Sequence, residues 1–303
     1  MADLSMEIAG LKLKNPVMVA SGTFGHGEEY SELIDLRKLG AIVTKSITVS
    51  PREGNPPPRI VETPAGMLNS IGLENDGLKK FIEEHLPFLA KFKTPVIANI
   101  AGETQKEFEE LASTLSKERQ VKALEVNISC PNVEHGGMQF GCSPVGTEEV
   151  VRAVRAATDM PLIVKLSPNV TDITEIAKKA KDSGADVISL INTVMGMAID
   201  AETRRPRINR IVAGLSGPAI KPIALRMVWQ VAQSIKLPVI GIGGIMNARD
   251  ALEFFIAGAS AVQIGTANFV DTQASIKTIE GINEYLDRKG IKDIKGLIGT
   301  LNK

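Results

Sequence analysis

Residues 161–193 read PLIVKLSPNVTDITEIAKKAKDSGADVISLINT and contain two apolar runs separated by an amphipathic stretch. The runs, 161–168 and 187–193, lack polar alternation, which is typical of parallel strands buried on both faces. The stretch 172–182 between them has the amphipathic pattern of a helix. Gly184 follows it, and a glycine in this place can end a helix in the left-handed conformation. The segment therefore predicts a strand–helix–strand unit with parallel strands.

The same unit recurs along the chain. Further amphipathic stretches cover 104–118, 147–157 and 247–257. Strands alternating with helices predict parallel pairing, and eight of them predict a closed (β/α)8 TIM barrel, an α/β fold. We expect residues 1–303 to form one domain, and a doubly wound open sheet is the alternative. The eight apolar runs are 16–22, 41–46, 95–102, 123–130, 161–168, 187–193, 238–244 and 261–268.

Local signals mark the junctions between these elements. Gly40, Gly184 and Gly258 each precede an alanine and a strand, so each is expected to adopt the left-handed conformation. Thr147 and Asn247 stand where helices are expected to begin, because their side chains can cap a helix.

Composition limits the function classes. The 303 residues carry 35 Lys and Arg against 35 Asp and Glu, and this balance argues against a general nucleic-acid or acidic-membrane binder. Two cysteines, Cys130 and Cys142, with three scattered histidines give no zinc-site spacing and too few thiolates for an iron–sulfur cluster. No metal site is predicted. Neither a signal peptide nor an 18-residue apolar span is apparent, so a cytoplasmic location is expected.

Polar residues stand where the predicted strands end, and in a barrel these positions converge on one mouth. Strand ends can be polar simply because the chain leaves the core there. Lys45 and Lys165 are harder to explain in that way, since burying an unpaired ammonium is costly. The long connections 47–93 and 194–218 are expected to be functional loops.

Glycine-rich strand ends predict an anion site. GIGG at 241–244 and QIGTAN at 263–268 can expose backbone N–H groups to a phosphate, although tight turning alone would also explain them. Met246 stands where a dinucleotide fingerprint needs its third glycine, so that motif is absent.

Cys130 follows a strand and precedes a glycine-rich loop that could act as a lid, although inert packing is the usual role of a lone cysteine. Cys142 lies inside that loop and is taken as incidental. Amides offer both donors and acceptors, which suits a ligand with imide edges such as a pyrimidine. Turn capping is the alternative for each of the four candidate asparagines, Asn69, Asn127, Asn132 and Asn192.

Eight motifs together resemble the class 1 dihydroorotate dehydrogenases over nearly the whole chain. The resemblance implies an FMN-binding barrel that oxidises dihydroorotate to orotate in pyrimidine synthesis. It also implies that Cys130 is the base that takes the proton from carbon 5 of the substrate. The motifs are KS at 45–46, NSIGLEN at 69–75, NISCPN at 127–132, VKLSP at 164–168, INT at 191–193, LSGPAIKP at 215–222, GIGG at 241–244 and IGTAN at 264–268.

The resemblance also assigns binding residues by motif. Lys45 would contact both flavin and substrate, and Lys165 would stabilise the anionic reduced flavin. The expected FMN contacts are Ser21, Lys45, Ser46, Asn99, Asn127, Lys165, Ile191, Gly217, Gly243, Gly244, Gly265 and Thr266. The expected substrate contacts are Lys45, Asn69, Ser70, Ile71, Gly72, Leu73, Asn127, Asn132, Asn192 and Thr193.

Within class 1, the N-terminal third is similar to type B enzymes. These pass electrons to NAD through a partner subunit that carries FAD and a 2Fe–2S cluster, around a core dimer of the catalytic subunit in a heterotetramer. The chain has no cluster ligands and no dinucleotide motif of its own, so reaching NAD would need such a partner. A type A enzyme that uses fumarate, another pyrimidine-reducing flavin barrel, and a non-flavin sugar-phosphate barrel remain alternatives.

Overall fold

A computed structural model describes residues 2–129 and 138–302, and eight parallel strands form a closed barrel in it. The strands follow one another around the barrel in chain order, and β8 pairs with β1 to close it. The predicted TIM barrel is confirmed. Its strands are β1 Val17–Val19, β2 Ala41–Val43, β3 Val96–Ile100, β4 Val121–Asn127, β5 Leu162–Leu166, β6 Val187–Leu190, β7 Val239–Ile242 and β8 Ala261–Ile264.

Helices surround the barrel and bury their apolar faces on it. The chain passes through 3₁₀ turns at Leu36–Lys38, Pro218–Ile220 and Ile294–Leu297, and a π-helical turn, Phe81–His85, joins α2 to α3. Nearly every residue of the barrel strands is buried, which explains their uninterrupted apolar sequences. The helices are α1 Glu28–Ser31, α2 Gly77–Lys80, α3 Leu86–Ala90, α4 Gln105–Leu115, α5 Met138–Gly141, α6 Pro144–Ala157, α7 Ile173–Asp182, α8 Lys221–Ser234, α9 Ala248–Ala257, α10 Ala267–Val270 and α11 Ala274–Lys289.

The two long connections form strands. Ile60–Thr63, Gly66–Asn69, Ala213–Ser216 and Val194–Gly196 pair in that order as an antiparallel sheet, which we call the mouth sheet. A side chain at Gly66 would place its Cβ 2.0 Å from the Ser216 carbonyl oxygen, so only glycine permits this pairing. The prediction of functional loops therefore missed a sheet. Two short hairpins complete the strands, Met6–Ile8 with Leu11–Leu13 and Ile199–Asp200 with Arg205–Pro206.

Two junctions differ from the sequence predictions. Helix α6 begins at Pro144 with Ser143 as its cap, and the Ser143 hydroxyl accepts from the Gly146 N–H at 3.0 Å. Proline is well suited to the first position of a helix, so the helix begins at Pro144 and not after Thr147. Thr147 therefore lies inside the helix. Gly40 is not left-handed. It is required because a Cβ there would lie 2.1 Å from the Asn15 carbonyl oxygen.

The other junctions agree with the predictions. Gly184 and Gly258 have φ angles of 108° and 118°, and the Asn247 side chain caps α9 by accepting from the Asp250 N–H. None of the helices in the described ranges is long and apolar enough to cross a membrane. That residues 1–303 form one domain stays a prediction.

Candidate active site

Two adjoining clefts open at the carboxyl ends of the barrel strands. The inner cleft has a volume of about 520 Å³ and lies beside the glycine-rich ends of β7 and β8. The outer cleft has a volume of about 900 Å³ and lies between the barrel and the mouth sheet. Six residues line both of them, so the clefts form one continuous site. The shared residues are Ser21, Thr23, Lys165, Asn192, Thr193 and Ser216.

The inner cleft has a backbone lining. Gly217, Gly243 and Gly244 have φ angles of 93°, 127° and 70°, a conformation that favours glycine. A Cβ at Gly243 would lie 2.8 Å from the Ala224 Cβ, and one at Gly244 would lie 2.7 Å from the Lys221 Cβ. In the described ranges, the N–H groups of Gly243, Gly244, Gly265 and Thr266 donate to no backbone oxygen. This lining can receive an anionic group.

A chain of hydrogen bonds runs along the floor of the outer cleft. The Ser46 hydroxyl donates to Asn99 Oδ1 at 2.6 Å and accepts from Asn127 Nδ2 at 3.2 Å. Asn192 Nδ2 donates to Ser129 Oγ at 2.8 Å, and that hydroxyl donates to Asn127 Oδ1 at 3.2 Å. Because the Ser46 and Ser129 hydroxyls link these amides to one another, the orientations of the amides are set before any ligand arrives.

Lys165 lies at the junction of the clefts. Its side chain is 6% exposed, and Nζ is 3.6 Å from Oε1 of the fully buried Glu125. Glu125 is in β4 and was not among the predicted site residues. The sequence did contain a signal for Glu125. A carboxylate in the apolar run ALEVNIS is as costly to bury unpaired as the lysine in PLIVKLSP, so both charges call for a partner.

Lys45 faces the outer cleft from the end of β2. Its Nζ lies 3.9 Å from Glu74 Oε2, and the Arg59 guanidinium donates to that same oxygen at 2.8 Å. Lys45 is 30% exposed, so this cation is reachable from the cleft. A ligand carboxylate could therefore compete with Glu74 for it.

The sequence matches the family model described as "Dihydroorotate dehydrogenase" over residues 3–286. The chain belongs to this family. Relatives named "Dihydroorotate dehydrogenase B (NAD(+)), catalytic subunit" are highly similar to it. The protein of Geotalea uraniireducens is 60% identical over 299 residues, which cover 99% of this chain and 98% of the relative. The protein of Bacteroides thetaiotaomicron is 56% identical over 301 residues, which cover 99% of each chain. The family predicted from the sequence motifs is confirmed.

Most of the residues that the dihydroorotate dehydrogenase resemblance singled out line the clefts. Asn99 and Ser70 do not: Asn99 is buried beneath Ser46, and the buried Ser70 hydroxyl accepts from Asn55 Nδ2 at 2.8 Å. Cys130 and Asn132 lie outside the described residues. Those that line a cleft are Ser21, Lys45, Ser46, Asn69, Ile71, Gly72, Leu73, Asn127, Lys165, Ile191, Asn192, Thr193, Gly217, Gly243, Gly244, Gly265 and Thr266.

Other polar and apolar residues of the clefts were missed. Thr23 and Ser216 line both clefts, and Ile60 and Phe269 line the outer one. Ser216 accepts a hydrogen bond from the Thr266 hydroxyl at 2.8 Å, which ties the mouth sheet to the end of β8. These residues lie in the two long connections or just beyond strand ends, where the sequence alone gives no register.

The second cysteine has no visible catalytic environment. Cys142 is partly buried, its Sγ donates to the Asn169 carbonyl oxygen at 3.5 Å, and burial raises the pKa of its thiol. The described residues also contain no cluster of three or more His, Cys, Asp or Glu side chains suited to a metal.

Two histidines that are far apart in sequence stack near Lys45. The rings of His26 and His85 have centroids 4.3 Å apart, and His85 contacts Glu28 at 2.7 Å and Asp76 at 3.1 Å. The buried His26 Nδ1 has no hydrogen-bond partner among the described residues. Burial, reinforced by the charges of His85 and Lys45 and opposed by Asp76, lowers the pKa of His26 to about 3.

This lowered pKa predicts acid sensitivity. The unfolded chain takes up a proton near pH 6.5 while folded His26 stays neutral, so stability falls as the pH drops from about 6.5 towards 3. The loss approaches about 1.4 kcal/mol per pH unit. The variant His26→Gln should show a shallower fall, measured by urea unfolding over this pH range. Equal slopes in both proteins would contradict the assignment.

Proposed function

We propose that this chain is the FMN-binding catalytic subunit of an NAD-linked dihydroorotate dehydrogenase that forms orotate in pyrimidine biosynthesis. The observation that carries the proposal is the joined pair of clefts. One is lined by glycine backbone that suits a phosphate, and the other by two lysines and oriented amides that suit an anionic pyrimidine. Family membership and the names of the relatives support it.

The described residues fit FMN. The phosphate would bind to the N–H groups of the glycines that follow β7 and β8, where no Cβ obstructs its approach. The buried Thr193 hydroxyl has no partner among the described residues and lines both clefts, so it is free to bond a ligand. All but one of the predicted FMN contacts line one or both clefts. The exception is Asn99, which lies behind Ser46 and accepts a hydrogen bond from it. The contacts that line a cleft are Ser21, Lys45, Ser46, Asn127, Lys165, Ile191, Gly217, Gly243, Gly244, Gly265 and Thr266.

The bound flavin supplies an acceptor for the hydride from carbon 6 of dihydroorotate. Lys165 places a cation at the junction of the clefts, where it stabilises negative charge that develops during the reaction. Lys45 binds the substrate carboxylate. Asn69, Asn127 and Asn192, with the segment 71–73 and Thr193, line the cleft that would hold the pyrimidine ring, and Asn132 completes this set by its motif. Ser70 supports this segment from behind, through its bond to Asn55.

Cys130 is the base in this proposal. Its thiolate takes the proton from carbon 5 while the bond from carbon 6 to hydrogen breaks. Ser129, the preceding residue, is fixed by hydrogen bonds to Asn127 and Asn192 on the cleft floor. Cys130 directly follows Ser129 in the sequence, which supports the assignment of Cys130 to this site.

The name of the relatives includes the words "catalytic subunit", so these proteins work with another chain. We propose that the partner here carries FAD and a 2Fe–2S cluster, and that two copies of this chain form the core of a heterotetramer. The cleft rim offers Ile60 and Phe269, which are 49% and 52% exposed, as apolar contacts for a partner. A cytoplasmic location stays a prediction.

The first test is flavin content and anaerobic reduction. The purified chain is expected to be yellow, to release FMN on denaturation and to lose its flavin absorbance on addition of dihydroorotate. Dihydrouracil, which lacks the carboxylate, should leave the flavin oxidised. Reduction by dihydrouracil would favour another pyrimidine-reducing barrel, and a colourless protein that binds no FMN would overturn the proposal.

The variant Lys165→Met tests the cation at the cleft junction. Removing the charge should lower the midpoint potential of bound FMN, because the reduced anion loses its stabilising partner. A tenfold shift in the two-electron equilibrium corresponds to about 30 mV. Spectroscopic redox titration measures this potential, and an unchanged potential at full flavin occupancy would assign Lys165 another role.

A further inference from the structure

Glu125 lies at the centre of the barrel beneath the proposed flavin site. It belongs to β4 and is fully buried. Four other strands of the barrel direct polar side chains to its carboxylate. Asn99 comes from β3, Lys165 from β5, Ser189 from β6 and Gln263 from β8.

Both carboxylate oxygens are fully used. Oε1 accepts from Asn99 Nδ2 at 2.7 Å and lies 3.6 Å from the Lys165 ammonium. Oε2 accepts from Gln263 Nε2 at 2.7 Å and from the Ser189 hydroxyl at 3.0 Å. Gln263 turns its amide nitrogen to Glu125 even though its own Oε1 is then buried without a partner. The surroundings are therefore arranged to hold a negative charge.

A buried ion pair is costly to desolvate and does not by itself explain why the charges are there. A barrel core packs well with aliphatic side chains alone. The Glu125 carboxylate, however, is bonded to residues that reach the cleft. Asn99 also accepts a hydrogen bond from the Ser46 hydroxyl, which in turn accepts one from Asn127. Lys165 lines both clefts directly.

We propose that Glu125 is the buried counter-charge and positioning residue of Lys165, and that it limits the positive potential which this lysine exerts on the flavin. The inference rests on the proposed function for its flavin part. The ion pair fixes the Lys165 ammonium at the junction of the clefts. At the same time, Glu125 offsets part of the lysine's charge and so holds the flavin's midpoint potential below the value that an unpaired lysine would give.

The variant Glu125→Gln isolates this charge. The new amide can keep its oxygen towards Asn99 and Lys165 and turn its nitrogen towards Ser189 and Gln263. The Ser189 hydroxyl can accept, and Gln263 can rotate its amide to offer the oxygen that now lacks a partner. The substitution thus removes one negative charge without increasing the number of unpaired polar groups, because the Gln263 nitrogen takes the place of its unpaired oxygen.

Three variants give the expected pattern of midpoint potentials. Glu125→Gln should raise the potential, Lys165→Met should lower it, and the double variant should lie between the two. A tenfold shift in the two-electron equilibrium for each single variant corresponds to about 30 mV in opposite directions. Ser189→Ala is the matched control, since it removes a neutral donor from the same carboxylate and should leave the potential unchanged. A Glu125→Gln potential that is unchanged or lowered would overturn the proposal.

Thermal unfolding of the full chain as purified tests the ion pair without reference to redox chemistry. Lys165→Met should lower the melting temperature more in the wild-type background than in the Glu125→Gln background, because only the former leaves an unpaired buried carboxylate. Equal losses in the two backgrounds would overturn the pairing. Failure of the proposed function would look different, since the wild-type protein would then hold no flavin or dihydroorotate would not reduce it.

Discussion

Replacement of Cys130 by alanine is expected to slow the reduction of bound FMN by dihydroorotate by roughly two to four orders of magnitude, the usual contribution of a general base. Flavin content and folding should be unchanged, because the residue's role is to remove the proton from carbon 5. Anaerobic stopped-flow measurement of flavin absorbance gives the rate directly. The serine variant should retain partial activity with a higher pH optimum, since a hydroxyl is harder to deprotonate than a thiol.

Cys142→Ala provides the matched control. Burial raises the pKa of that thiol, and it is bonded to the Asn169 carbonyl, so its loss should leave the reduction rate unchanged. The same substitution chemistry at two cysteines then separates a base from a structural thiol. Reduction at the wild-type rate in Cys130→Ala, or a comparable loss in Cys142→Ala, would contradict the assignment of Cys130.

The barrel could be predicted because its signals are local. Each strand is a short apolar run, and seven of the eight predicted runs contain the barrel strand that the structure shows. The exception is the run 123–130, because β4 begins two residues earlier, at Val121. The mouth sheet could not be predicted in this way. Its strands pair residues near 67 with residues near 215, and their short, partly exposed segments carry no continuous apolar pattern. Its register depends on the close approach of the Ser216 carbonyl to Gly66 and of the Thr193 side chain to Gly214, which becomes apparent only in three dimensions.

The candidate site was predictable where a residue type contradicted its surroundings. Lysine at the end of an apolar strand was recognised for that reason, and the same reasoning would have found Glu125 in the middle of one. What the sequence could not supply was the pairing of the two charges across β4 and β5. The stacking of His26 on His85 was hidden for a related reason, since 59 positions separate the two rings that the fold places together.

The isolated chain is expected to oxidise dihydroorotate with an artificial dye as acceptor and to reduce no NAD. Its sequence has too few cysteines for a four-thiolate iron–sulfur site and no G-x-G-x-x-G turn to place a nicotinamide, so the proposed function requires a second chain for both. Steady-state assays of the purified chain with the dye, with NAD and with fumarate separate the possible acceptors. NAD reduction by the isolated chain should stay below the detection limit of the assay, while reduction of the dye is readily measured.

Addition of the partner subunit should then restore NAD reduction, and the rate should saturate at one partner per copy of this chain. A complex of this kind needs an interface of at least about 800 Å² per side, with an apolar centre and a polar rim. The exposed side chains of Ile60 and Phe269 at the cleft rim offer a direct check. Their replacement by serine should weaken partner binding and NAD reduction while dye-linked activity continues. NAD reduction by the chain alone would refute the need for a partner, and rapid reoxidation by fumarate would make the enzyme type A.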